Sequence, residues 1–179
     1  MTQSKSNFMC WSAQGTLTFN KLKHRDGIHY LNIAPDSPFK FARDLDLTSK
    51  LKLVHPRYDS FDCLEGFYIW LATGKVRNFF RRNYGVDVRK AGKSYIPSTM
   101  ELSDEIKDEI LLALHLRFHQ HPELLIQLRE GPYKDLPLIM IYHFGNNTRD
   151  ASGRYRFVLE EIERIRAGLP LRIELPGPF

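Results

Sequence analysis

The chain has 179 residues, 42% of them hydrophobic and 12% aromatic, enough for one ordinary domain with a sizeable core, which excludes wholesale disorder. No apolar run approaches the roughly 20 residues of a membrane span, and the start, MTQSKSNFMCWSAQG, lacks a signal-peptide core, so a cytoplasmic protein with no membrane partner is expected. Lysine and arginine number 26 against 21 acids, a net charge of +5 that attracts anions, while Cys10 and Cys63 are too few for a disulfide framework or a cysteine zinc site.

No repeat, low-complexity tract or long linker divides residues 1–179, which read as a single α+β domain, mainly helical, with a small sheet or hairpin. Thr16 to Phe19 and Ile28 to Ile33 are rich in branched and aromatic residues and flank the polar turn His24-Arg25-Asp26-Gly27, as two strands of a hairpin would. Lys50 to Val54 alternates polar and apolar residues before His55-Pro56. From Ser60 to Thr73 the spacing of Phe61, Leu64, Tyr68, Leu71 and Ala72 predicts a helix that is apolar on nearly every side and stopped by Gly74. Ser103 to His119 predicts a longer helix, capped by Ser103, with Ile106, Ile110, Ala113, Leu114, Arg117 and Phe118 inward. Pro122 to Arg129 predicts a short helix with Gly131 beyond its end, Leu136 to Phe144 one buried strand, and Ser152 to Arg166 a closing helix. The tail LPLRIELPGPF alternates as a short edge strand would.

The most conspicuous charge is Glu65, because a carboxylate in an apolar helix is costly to bury without a partner or a task. It is either an acid, base or cation stabiliser, or a structural cap or ion-pair carboxylate. Asp62, three residues earlier, is a second carboxylate or the helix N-cap. His115 and His119 share a helix face near His121, but two ligands leave zinc short of coordination and HExxH is absent, so neither metal nor cofactor is expected. From Lys75 to Lys93 seven cations stand against Asp87, with Phe79, Phe80 and Tyr84 interleaved. That pattern fits a phosphate or nucleic-acid surface, or a solvated helix face with its rings turned inward. Gly145-Asn146-Asn147-Thr148 is a polar turn after the buried strand, either a plain connection or a ligand loop, since such loops often sit there.

In order and spacing, several pieces resemble the NADAR superfamily, which includes an N-glycosidase of riboflavin-pathway intermediates and hydrolases that remove ADP-ribose from guanine. Asp62-Cys63-Leu64-Glu65-Gly66-Phe67-Tyr68-Ile69-Trp70 is similar to the family's glutamate-bearing phrase, with the glutamate at Glu65, Gly66 in place of a histidine and Ile69 in place of a glutamine. Leu111 to Leu128, LLALHLRFHQHPELLIQL, shares Ala113, Leu114, Phe118, Gln120, Pro122, Leu124 and Leu128 with a family helix. Phe144-Gly145 stands where Trp-Gly is usual, and Ser37 to Phe41 is similar to an upstream family segment. The likeness covers about 39–166.

The resemblance implies a NADAR-like fold and cleavage of a C1′–N ribosyl bond, on an ADP-ribosyl adduct or a phosphorylated ribosyl nucleobase metabolite. Glu65 would be the central catalytic group, with Asp62 and Tyr68 assisting departure of the base. Lys75, Arg81, Arg82 and Asn146 would bind substrate or phosphate. The alternative is a non-catalytic module that keeps this fold and binds a nucleotide or nucleic acid through Lys75 to Lys93.

Overall fold

The computed structural model describes residues 30–96, 100–144 and 147–169. Among them are six α-helices and three two-stranded ladders, a mixed α+β arrangement in which helix predominates. The expected strand Thr16–Phe19, Asn146 and the tail from 170 lie outside the described residues. Of the second expected strand, β1 (Leu31–Asn32) is described, and it pairs in parallel with β4 (Leu138–Ile139).

The longest helix organises the core. Ser103 Oγ accepts the Ile106 N–H at 3.4 Å, and Asp104 and Glu105 meet the positive end of the helix dipole, so α4 (Asp104–Gln120) begins where the sequence indicates. Ile110 to Leu114, Leu116 and Phe118 are all buried, and each of the leucine, isoleucine and phenylalanine side chains among them is worth about 1.5–3 kcal/mol against exposure. Against this helix pack α2 (Leu64–Ala72), α5 (Pro122–Glu130) and α6 (Arg156–Arg166). Pro122 begins α5, where its missing N–H costs nothing.

Arg117, on the inward stripe of α4, is fully buried. Its guanidinium caps the end of α1 (Lys40–Leu45) by donating to the carbonyls of Asp44, Leu45 and Asp46 and to Ser49 Oγ. Burial pulls its pKa down to about 10, so it still carries its charge at neutral pH. One buried cation thus fixes the loop that carries Asp46.

Three local expectations change. The helix does not begin at Ser60: β2 (Leu53–His55) and β3 (Asp59–Phe61) form an antiparallel hairpin in which Leu53 opposes Phe61, and Asp59 takes a left-handed φ of 64° in the turn. Gln120 closes the outer edge of that hairpin, its side-chain amide exchanging two hydrogen bonds with Val54 at 2.7 and 2.8 Å. Nor is Asp62 the N-cap of α2. Cys63 is, with Sγ accepting the Gly66 N–H at 3.2 Å. Finally, Leu136–Phe144 is not one strand but two, β4 and β5 (Ile141–Phe144). The break falls at Met140, whose N–H goes to Ser152 Oγ at 2.9 Å and whose carbonyl accepts from Ala151 at 2.8 Å. Ser152 is thereby spent on the sheet, and α6 starts only at Arg156. β5 pairs with β6 (Asn147–Asp150).

Candidate functional site

Helix α2 is buried from Leu64 to Leu71, so its first-turn carboxylate, Glu65, is carried inside, 3% exposed. The Glu65 N–H is tied to the Leu47 carbonyl at 2.8 Å, which locks the helix start to the loop after α1. Crossing α2 is α3 (Gly85–Lys93), and the approach is close because Gly92 faces Ile69: a Cβ there would lie 2.5 Å from Ile69 Cδ1. That approach brings Arg89 over Glu65.

The second close contact is at Gly66. A Cβ at this position would sit 2.2 Å from the carbonyl oxygen of Phe80, in the 3-10 turn Asn78–Arg81. Unlike a flexible side chain, that backbone oxygen has no rotamer into which to retreat, so the residue after the glutamate is held to glycine.

Glu65 faces a cavity of about 600 Å³, counted out to its open mouth. Its walls include Tyr68 from α2, Arg89 from α3, Tyr142 from β5, and Arg154 and Tyr155 from the turn before α6. Tyr155 donates its hydroxyl to Glu65 Oε1 at 2.9 Å, and Arg89 Nε lies 3.9 Å from the same oxygen. Glu65 Oε2 is buried without a hydrogen-bond partner, an arrangement that is costly in a folded interior. Arg89 is shared: its Nη2 contacts the buried carboxylate of Asp46 at 3.4 and 3.5 Å and the Tyr142 hydroxyl at 3.1 Å, with the guanidinium 3.9 Å from the centre of the Tyr142 ring. Asp46 is in turn held by the N–H of Thr48 at 2.8 Å and by its hydroxyl.

Two carboxylates therefore share one guanidinium in a buried cluster, which sets the protonation of the site. Burial pushes the Glu65 carboxyl above its usual range, and Asp46 adds to this against the opposing pull of Arg89 and the Tyr155 hydrogen bond. Burial likewise drives the Tyr142 and Tyr155 hydroxyls well up and that of Tyr68 up, keeping all three neutral. Tyr68 accepts a hydrogen bond from Arg154 Nη2 at 2.8 Å, which leaves its own proton available to something in the cavity.

Of the residues singled out in the sequence, Glu65 and Tyr68 meet at this cavity; Asp62, Lys75, Arg81 and Arg82 do not line it. Asp62 instead gives its backbone N–H to the Arg81 carbonyl at 3.0 Å. The three cations lie toward the hairpin: Lys75 on the Tyr58 hydroxyl, Arg81 on the Tyr58 carbonyl and Asp59, Arg82 on Ser60 Oγ. The cations that do border the cavity are Arg89, Lys93, Arg149 and Arg154. Arg89 and Lys93 were legible only as members of a basic run. Tyr142 was legible only as part of the buried strand Leu136 to Phe144 and Tyr155 only as an inward residue of the closing helix, while Asp46 and Arg154 carried no local signal.

Among the described residues no group of three His, Cys, Asp or Glu side chains is placed to hold a metal ion, and no helix is long and apolar enough to cross a membrane. His115 is paired with the buried Glu161 at 2.8 Å, and His121 donates its Nε2–H to the Lys52 carbonyl, 2.8 Å away. No family model matches the chain, and no curated protein or solved structure matches it either.

Proposed function

We propose that the cavity is the active site of an N-glycosidase that hydrolyses a C1′–N ribosyl bond, in an ADP-ribosyl adduct or a phosphorylated ribosyl nucleobase metabolite. The observation that carries this reading is Glu65 itself: a buried carboxylate at a cavity wall, one oxygen held by Tyr155 and the other unpartnered. Such a group is expensive for stability alone and suited to proton transfer.

Its raised pKa favours the acid role. Protonated Glu65 gives its proton to the departing base as the C1′–N bond breaks and positive charge spreads over the ribose. The carboxylate so formed stabilises that charge and then takes a proton from the water that attacks C1′, restoring the acid. The products are free base and the ribosyl hydroxyl, and the proton balance closes. Tyr68, with its proton free, supports the leaving group, and Arg154, Arg149 and Lys93 are the cations that would meet substrate phosphate.

The test is a screen for release of free base or ADP-ribose from N-ribosyl substrates, run beside Glu65→Gln. Turnover should fall about 100-fold or more in the variant, the usual contribution of a positioned acid or base. Wild-type kcat should decline as pH rises through the Glu65 pKa. Full turnover by Glu65→Gln on every substrate the wild type cleaves would refute the assignment.

A further inference from the structure

The cations absent from the cavity point elsewhere. Among the described residues, five of the exposed large hydrophobic side chains (Val76, Phe79, Tyr84, Val86 and Tyr95) fall within one short stretch of chain. Two of these are rings fixed on a common support: Phe79, 47% exposed, and Tyr95, 43% exposed, pack edge-on to the buried ring of Phe80 at 5.3 and 5.9 Å. A ring anchored in this way loses little freedom when something stacks on it.

Around these rings three cations have no carboxylate partner among the described residues, whereas Arg81 in the same stretch is bound to Asp59 at 3.3 Å. Arg77 lies 3.9 Å from the centre of the Tyr95 ring and donates to its hydroxyl at 3.1 Å; Lys75 rests on the Tyr58 hydroxyl and Arg82 on Ser60 Oγ. All three are exposed, and among the described residues none is paired with a carboxylate. Elsewhere on the surface Arg57 is bound to Glu109, Arg156 to Glu160 and Arg166 to Glu163. From Lys75 to Tyr95 the one acid is Asp87.

We propose that this face, centred on Arg77, Phe79 and Tyr95 with Lys75 and Arg82 beside them, binds a single-stranded polynucleotide. The cations match its phosphates and the anchored rings match its unpaired bases, a combination that neither an acidic peptide nor a duplex would use in full, because the first has no bases and the second keeps its bases stacked. The site lies apart from Glu65 and stands independently of the glycosidase reading.

Fluorescence anisotropy with the full chain provides the test, using labelled oligothymidylate and oligouridylate of about 12 nucleotides, within the span such grooves cover, and a duplex of equal length. One or both single strands should bind more tightly than the duplex, and the preference between them identifies the sugar. Three cations predict a slope of log K on log salt of about −2. Phe79→Ala and Tyr95→Ala should each weaken binding about 5- to 100-fold, while Tyr95→Phe retains it. The pair Arg77→Glu and Arg82→Glu should abolish it, and Glu65→Gln should leave it unchanged, so that failure here is separable from failure of the cavity chemistry. The inference is overturned by absent binding at about 50 mM salt, by equal affinity for duplex or a polyglutamate peptide, or by ring variants indistinguishable from wild type.

Discussion

The cavity around Glu65 and the exposed face from Lys75 to Tyr95 are made of the same materials, arginines and aromatic rings, yet water divides them into opposite kinds of surface. In the cavity Arg89 is pressed on the Tyr142 ring and shared between Asp46 and Glu65, so its charge is consumed internally. On the face Arg77 is pressed on the Tyr95 ring at the same 3.9 Å, with no carboxylate bound to it. The contrast teaches that an arginine–tyrosine stack is neutral as to role. What decides its use is whether a carboxylate has been buried beside it.

Three experiments break or sharpen that contrast on stability alone. The largest effect is expected for Arg117→Ala. Removing this buried guanidinium strands the carbonyls of Asp44, Leu45 and Asp46 and releases the loop that aims Asp46 at Arg89. A loss of about 3 kcal/mol or more is expected in urea unfolding, with Arg117→Lys recovering only part because one ammonium cannot reproduce the fork.

Glu65→Gln comes next, and its sign depends on pH. Because the folded carboxyl is raised above 4.5, its protonated form contributes stability that is fully present below that value and is lost as pH rises through the folded pKa. The variant should therefore melt above wild type at neutral pH, and the gap should close as pH falls toward 4.5. A variant that instead melts below wild type at neutral pH would show that Glu65 is an ordinary stabilising carboxylate. The smallest effect is on the face, where Phe79→Ser should lower unfolding free energy by about 1 kcal/mol, because the half-buried ring gives up only its edge-on contact with Phe80.

Much of this was legible in the sequence wherever one helix decided the matter. Ser103 announces α4, Pro122 announces α5, and Val158, Leu159, Ile162 and Ile165 mark the buried side of α6. Glu65 stood out because the apolar spacing around it had to be inside. The misreadings share a cause: they concern backbone and side-chain groups whose partners are far away in the chain. Ser60 and Phe61 fit a helical spacing, but Val54 and Leu53 offered them a ladder. Asp62 is the residue type expected at a cap, yet the neighbouring thiol took the hydrogen bond. Lys75, Arg81 and Arg82 followed Glu65 along the chain and were expected near it in space. The helix instead carries them to the hairpin end, while Arg89 arrives at Glu65 from a separate helix through the clearance at Gly92.

The turn at Phe80 touches both regions. Its ring carries Phe79 and Tyr95, and its carbonyl lies against Gly66, one residue from Glu65. At Gly66 the contact is main chain on main chain, with no rotamer between them to yield. A side chain introduced at Gly66 would therefore have to displace the turn that carries the outer rings or the start of α2 that carries the buried carboxylate.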